Sequence, residues 1–143
     1  MKAELRYAGH PLDVKNYDTD KIRKEFLIEK IFIPEEITLV YSMNDRMMAG
    51  GAMPVKKALK LEAVEMVKAS YFLERREMGM INIGGEALVE TSDAVFNIGH
   101  KEALYLGKGT KDVVFKSVNP DKPAKLYINS APAHHEYPSK KIT

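Results

Sequence analysis

The chain has no cysteine, so it can form no disulfide, no thiolate metal site and no thiol nucleophile. It also has little net charge: 22 basic side chains nearly cancel 20 acidic ones, which gives no electrostatic case for nucleic acid or a membrane surface as partner. From His100 onward there are eight lysines against four acids, a mild asymmetry that reads as a solvated face. The start, Met-Lys-Ala-Glu-Leu-Arg-Tyr, lacks the apolar stretch of about 7–15 residues that marks a secretory signal. No later run approaches the roughly 20 residues of a membrane-spanning helix. A cytoplasmic protein is therefore expected. At 143 residues the chain is long enough for one self-sufficient core, burying roughly 70% of the surface exposed when unfolded.

What is present is mostly β patterning. Residues 1–18 are polar, bend at Gly9-His10-Pro11, and read as an arm over the body. Thr19 or Asp20 is expected to cap a short helix over 21–26, with Ile22 and Phe26 on one face. Residues 28–33 and 37–41 suggest a hairpin across Pro34-Glu35-Glu36. Gly50-Gly51 and Pro54 bracket a bend, and residues 55–61 read as an edge strand carrying lysines. Residues 61–68 suit a helix or a loop equally. Strands are then expected at 70–83, 86–91, 94–98, 103–107, 112–118 and 125–130. In the first of these, alternation puts Met78, Met80 and Asn82 on one face and Gly79, Ile81 and Ile83 on the other, with both faces covered. Residues 131–143 are a linker by composition, with no evident terminal element. Many short strands without alternating helices predict a mostly β, cupin-like jelly-roll barrel over residues 19–130, with a short N-terminal helix.

Barrels of that kind bind metal through H-x-H, a glutamate three or four residues on, and a later histidine after a glycine turn. Alternate strand residues face the interior together, which lets these side chains converge on one ion. Here the first ligand positions hold Tyr71 and Leu73, the glutamate position holds Glu77 or Met78, and the later histidine position holds Asp112. The frame is present without its ligands, so no metal is expected to bind. Nor do the four histidines form an i, i+2 or i, i+4 pair. His134 and His135 are adjacent, and on an extended segment they point to opposite sides. His100 follows Gly99 and His10 lies in the arm.

The run Glu25-Phe26-Leu27, then Tyr71-Phe72-Leu73-Glu74-Arg75-Arg76, Tyr105-Leu106-Gly107-Lys108-Gly109 and Ala131-Pro132-Ala133-His134, in this order, resembles the amino-terminal half of the 5-keto-4-deoxyuronate isomerase family of pectin breakdown. That resemblance implies aldose–ketose interconversion of 4-deoxy-5-keto-hexuronate to 2,5-diketo-3-deoxy-gluconate. A zinc ion would polarise substrate oxygens, and a base would move a proton between neighbouring carbons. It also implies that the zinc ligands stand in a second barrel beyond this chain, for which residues 131–143 would be the linker. This half would then pack, orient and assemble a homo-oligomer around a uronate-processing site.

For the uronate carboxylate, Arg75, Arg76 and Lys108 are the candidate binding residues, since a guanidinium fork or an ammonium suits a carboxylate. Against that, Glu74 and Glu77 stand ready to pair with the arginines, and only one of two adjacent strand arginines can point inward. Lys108, between two glycines, lacks the spacing of a phosphate-binding loop and reads as part of a turn. Two further readings stay open. One is a metal-free module that binds a sugar acid or oligomerises. The other is a self-contained metalloenzyme using Glu77, Asp112, His134 and His135.

Overall fold

A computed structural model describes residues 1–143. Eleven strands form two sheets. The seven-stranded sheet runs β1 (Lys2–Arg6), β2 (Glu36–Ser42), β3 (Met48–Met53), β10 (Leu126–Pro132), β5 (Arg76–Asn82), β8 (Ala103–Leu106) and β11 (Lys140–Ile142). The four-stranded sheet runs β4 (Leu59–Lys60), β9 (Val114–Ser117), β6 (Ala87–Glu90) and β7 (Val95–Ile98). All pairings are antiparallel except β1 with β2. Helices are confined to one turn, α1 (Pro11–Val14), and to α2 (Thr19–Phe26). The expected mostly β architecture with a short N-terminal helix is what the chain adopts.

One apolar core joins the sheets. Ile37, Leu39, Met48, Met78, Met80, Leu104, Leu106, Leu126 and Ile128 come from the larger sheet, and Ala87, Val89, Ile98 and Phe115 from the smaller. Period-two alternation puts them there: in β5, Met78, Met80 and Asn82 are buried, while Ile81, and Ile83 just beyond the strand, are 44% and 48% exposed. The outer face of β5 is thus not covered, contrary to expectation. Asn82, wholly buried, is fully paired. Its Nδ2 donates to the Gly85 and Ile98 carbonyls at 2.7 and 2.8 Å, and its Oδ1 accepts from the Gly84 and Lys125 N–H groups. A buried amide that meets all its partners fixes register rather than weakening the core.

The departures from the sequence reading have local causes. The arm contains β1, which lies along β2 in parallel register from Lys2 opposite Thr38 to Arg6 opposite Ser42. Asp18, not Thr19 or Asp20, caps α2, its side chain accepting from the Lys21 N–H at 2.8 Å. Residues 28–33 form no strand, and β2 pairs instead with β3, which runs straight through Gly50 and Gly51. Those glycines are small because neighbours press in: a Cβ on Gly50 would lie 1.9 Å from the Thr38 carbonyl oxygen, and one on Gly51 2.5 Å from that of Ile31. Residues 61–68 are loop with one 3-10 turn at Glu65–Val67. The edge strand expected at 55–61 shrinks to β4, and β5 starts only at Arg76. The tail, expected to lack structure, carries β11, whose Lys140 pairs with Tyr105 of β8.

Candidate functional site

The largest cleft, about 680 Å³, opens at one end of the sandwich. Three separate segments build it: the β8–β9 turn Gly107–Lys111, the β6–β7 turn around Asp93, and the approach to β11, Glu136–Ser139. Tyr71, at the first ligand position of the metal frame, stands in its wall.

The β8–β9 turn is held from several directions. The Gly109 N–H donates to the Leu73 carbonyl at 2.8 Å, and the Thr110 hydroxyl donates to the Gly107 carbonyl at 2.7 Å. The Lys111 carbonyl accepts from the Ser92 N–H at 3.0 Å. Both glycines are required: Gly109 has φ +91, and a Cβ on Gly107 would sit 1.9 Å from the Tyr137 carbonyl oxygen. Lys108 is thereby presented from a fixed turn on the wall of the cleft. Beside it the Lys111 ammonium lies 5.3 Å from the centre of the Tyr71 ring, within cation–π range. Asp93 and Glu136 add carboxylates to the same cleft.

Behind this mouth the interior is apolar and closed. Leu73 is 1% exposed, and Met78 and Phe115 are fully buried. The inward-facing choice at the glutamate position is therefore Met78. Glu77 faces outward, where its carboxylate accepts a 2.8 Å bond from the Tyr105 hydroxyl. Burial, followed by that carboxylate, pushes the Tyr105 phenol up to about 12. Asp112 is exposed and paired with Lys60 at 3.4 Å, and His134 and His135 are exposed on the tail. No three His, Cys, Asp or Glu side chains converge. The residues at the positions of the metal frame thus offer no ligand set for a zinc ion, being apolar, outward-facing or already paired.

The three candidate anion-binding residues lie apart. Lys108 lines the large cleft. Arg75 is exposed and lines a different one of about 470 Å³, with Glu65, Lys68 and Glu74. Arg76 points inward and is 5% exposed. Neither arginine pairs with Glu74 or Glu77: Glu74 instead accepts from the Ser70 N–H at 3.0 Å. Arg76 donates to the Ser130 hydroxyl (3.1 Å) and carbonyl (2.8 Å) and to the Arg46 carbonyl (2.7 Å), with the Tyr41 ring centre 5.4 Å away. It ties β10 to the β2–β3 turn, where Asp45 and Arg46 both have positive φ. Burial pulls its pKa below the usual 12.5, partly offset by Tyr41, and a guanidinium remains charged there.

Lys108 was singled out in the sequence, but Asp93, Glu136 and Tyr137 were not, because they come from separate segments that no spacing rule links.

Fold and cleft together define a two-sheet β domain with a polar mouth over a sealed interior. The KduI/IolB family model matches residues 26–143, and the chain belongs to that family. It is 57% identical over 140 residues to the 4-deoxy-L-threo-5-hexosulose-uronate ketol-isomerase of Bacteroides fragilis, covering 98% of this chain and 50% of that protein. Identity to the proteins of the same name from Lachnoclostridium phytofermentans and Escherichia coli is 52% over 136 residues and 49% over 142. These matches cover 95% and 98% of this chain, and 49% and 51% of the relatives. The chain spans about half the length of the curated relatives it matches.

Proposed function

We propose that this chain is the amino-terminal half of a uronate ketol-isomerase, acting in the cytoplasm on 4-deoxy-5-keto-hexuronate. In this reading it packs, orients and helps to oligomerise the enzyme while contributing little chemistry of its own. The observation that carries it is the 57% identity over almost the whole chain to half of a protein bearing that activity in its name. The sealed interior supports the division of labour, since Leu73 and Met78 occupy positions where a metal-bearing barrel needs ligands. Zinc would accordingly belong to the second half. No helix is long and apolar enough to cross a membrane.

The test is to assay the purified 143-residue chain for conversion of 4-deoxy-L-threo-5-hexosulose-uronate and to measure its zinc by elemental mass spectrometry after dialysis. No turnover and near-zero zinc are expected. Turnover with stoichiometric zinc would overturn the reading and return Glu77, Asp112, His134 and His135 to consideration. Sedimentation should show self-association, and a monomer at high concentration would count against the assembly role.

A second reading, a metal-free module that binds a sugar acid, is favoured by one specific observation. The largest cleft carries both charge signs beside aromatic rings, a lining suited to a hydroxylated anion.

A further inference from the structure

The geometry points to the mouth between the β8–β9 turn and the Glu136–Ser139 segment as a binding site for a monosaccharide-sized hydroxy acid, with Lys108 as its carboxylate anchor. The inference rests on the second reading above and gives that reading a place and a set of residues.

The first support is unspent charge. Lys108, Lys111, Asp93 and Glu136 line one cleft, yet none makes a side-chain ion pair or hydrogen bond within the protein. Lys108 is only half-exposed, as are Lys116 and Lys141, yet those two are paired, with Glu90 at 2.7 Å and with Glu102 at 2.6 Å. Four such groups left open around one cavity can satisfy a ligand carrying an anionic group and several hydroxyls. Ammonium groups meet the carboxylate, and carboxylates accept from the hydroxyls.

The second support is shape. The cleft's volume of about 680 Å³ falls within the roughly 300–1,000 Å³ of small-molecule sites. Its walls include Tyr71, whose ring already carries Lys111, and Tyr137, whose ring suits the C–H face of a sugar. Tyr137 is 59% exposed, an aromatic surface left uncovered at the rim.

The third support is preorganisation. Lys108 sits between two glycines whose positions are enforced by the Tyr137 carbonyl and by a positive φ, and the turn is tied to Leu73 and Ser92. Holding the anchor's backbone before the ligand arrives lowers the ordering cost of binding. The same reasoning removes Arg75 and Arg76: one lies in another cleft and the other is occupied by carbonyls.

The experiment titrates the full 143-residue chain with D-glucuronate by calorimetry and ligand-observed NMR, with D-glucose and acetate as separate arms. Saturable glucuronate binding is expected, weakened about tenfold or more in Lys108→Ala, the loss expected for one charge-assisted contact. Arg75→Ala should bind as the unaltered chain does, and glucose and acetate should each bind more weakly than glucuronate. Lys108→Gln serves as a second variant, with circular dichroism melts checking that both fold. Glucuronate binding that Lys108→Ala and Lys108→Gln leave unchanged, or that glucose matches, overturns this site while the second reading survives. No saturable glucuronate binding overturns both.

Discussion

The interior behind Phe72-Leu73 and the mouth in front of Tyr71 are one or two residues apart in sequence and opposite in character. Behind, Leu73, Met78 and Phe115 are packed to near-zero exposure. In front, Lys108, Lys111, Asp93 and Glu136 stand unpaired around an open cleft. A metal frame that loses its ligands can be filled without losing its rim, because rim residues come from turns and interior residues from strand faces. The stability of the chain is expected to concentrate behind that line, and the proposed recognition site lies in front of it.

The difference can be broken from the interior outward. Leu73→Ala should cost about 2–5 kcal/mol in a denaturant melt, the range for emptying a well-packed core position. A cost under about 1 kcal/mol would mean that the interior is not the stabilising region. Arg76→Met should cost about 1–3 kcal/mol, since it leaves the Ser130 and Arg46 carbonyls without their donor. Amide exchange should quicken most in the Ser42–Met47 turn. An unchanged turn would show that Arg76 does not pin it.

Acid should loosen the β11 edge of the sheet before the interior. The Lys141 ammonium and the Gly99 N–H hold the Glu102 carboxyl below its ordinary 4.5. A depressed carboxyl contributes its stability in full above that value, and the contribution is lost as pH falls through the folded pKa. Between about pH 4.5 and that lower value, β11 should detach from β8, seen as faster exchange at Lys140–Ile142 while Met78 and Met80 stay protected. Simultaneous loss would make the β11 edge and the interior one cooperative unit. The smallest effect is expected at Lys108: replacement by alanine should shift stability by no more than about 0.5 kcal/mol. A larger shift would make it structural.

Sequence reading caught what depends on alternation. Residues 86–91, 94–98 and 103–107 became β6, β7 and β8 with one-residue trimming, and the faces of β5 were assigned correctly. It missed what depends on distant neighbours. Gly50-Gly51 looked like a bend because its reason for being small, the Thr38 and Ile31 carbonyls, lies elsewhere in the chain. β1 and β11 are polar and short, and only their partners β2 and β8 make them strands. The pairing of Arg76 with carbonyls was likewise invisible, since adjacent glutamates made an ion pair the natural expectation. At the mouth, Lys108 was legible from its glycines, whereas Glu136 and Tyr137 lay in a stretch whose composition read as linker.

The parallel strand β1 and the three-residue strand β11 lie at opposite ends of the seven-stranded sheet. Each covers a flank whose unpaired backbone would otherwise template strand addition, and each carries lysine or arginine along it. Trimming residues 1–6 would bare β2, with its Ile37, Leu39 and Val40, as a long apolar border open to other chains. Strands β1 and β11 thus act as insulation along the two flanks of the seven-stranded sheet.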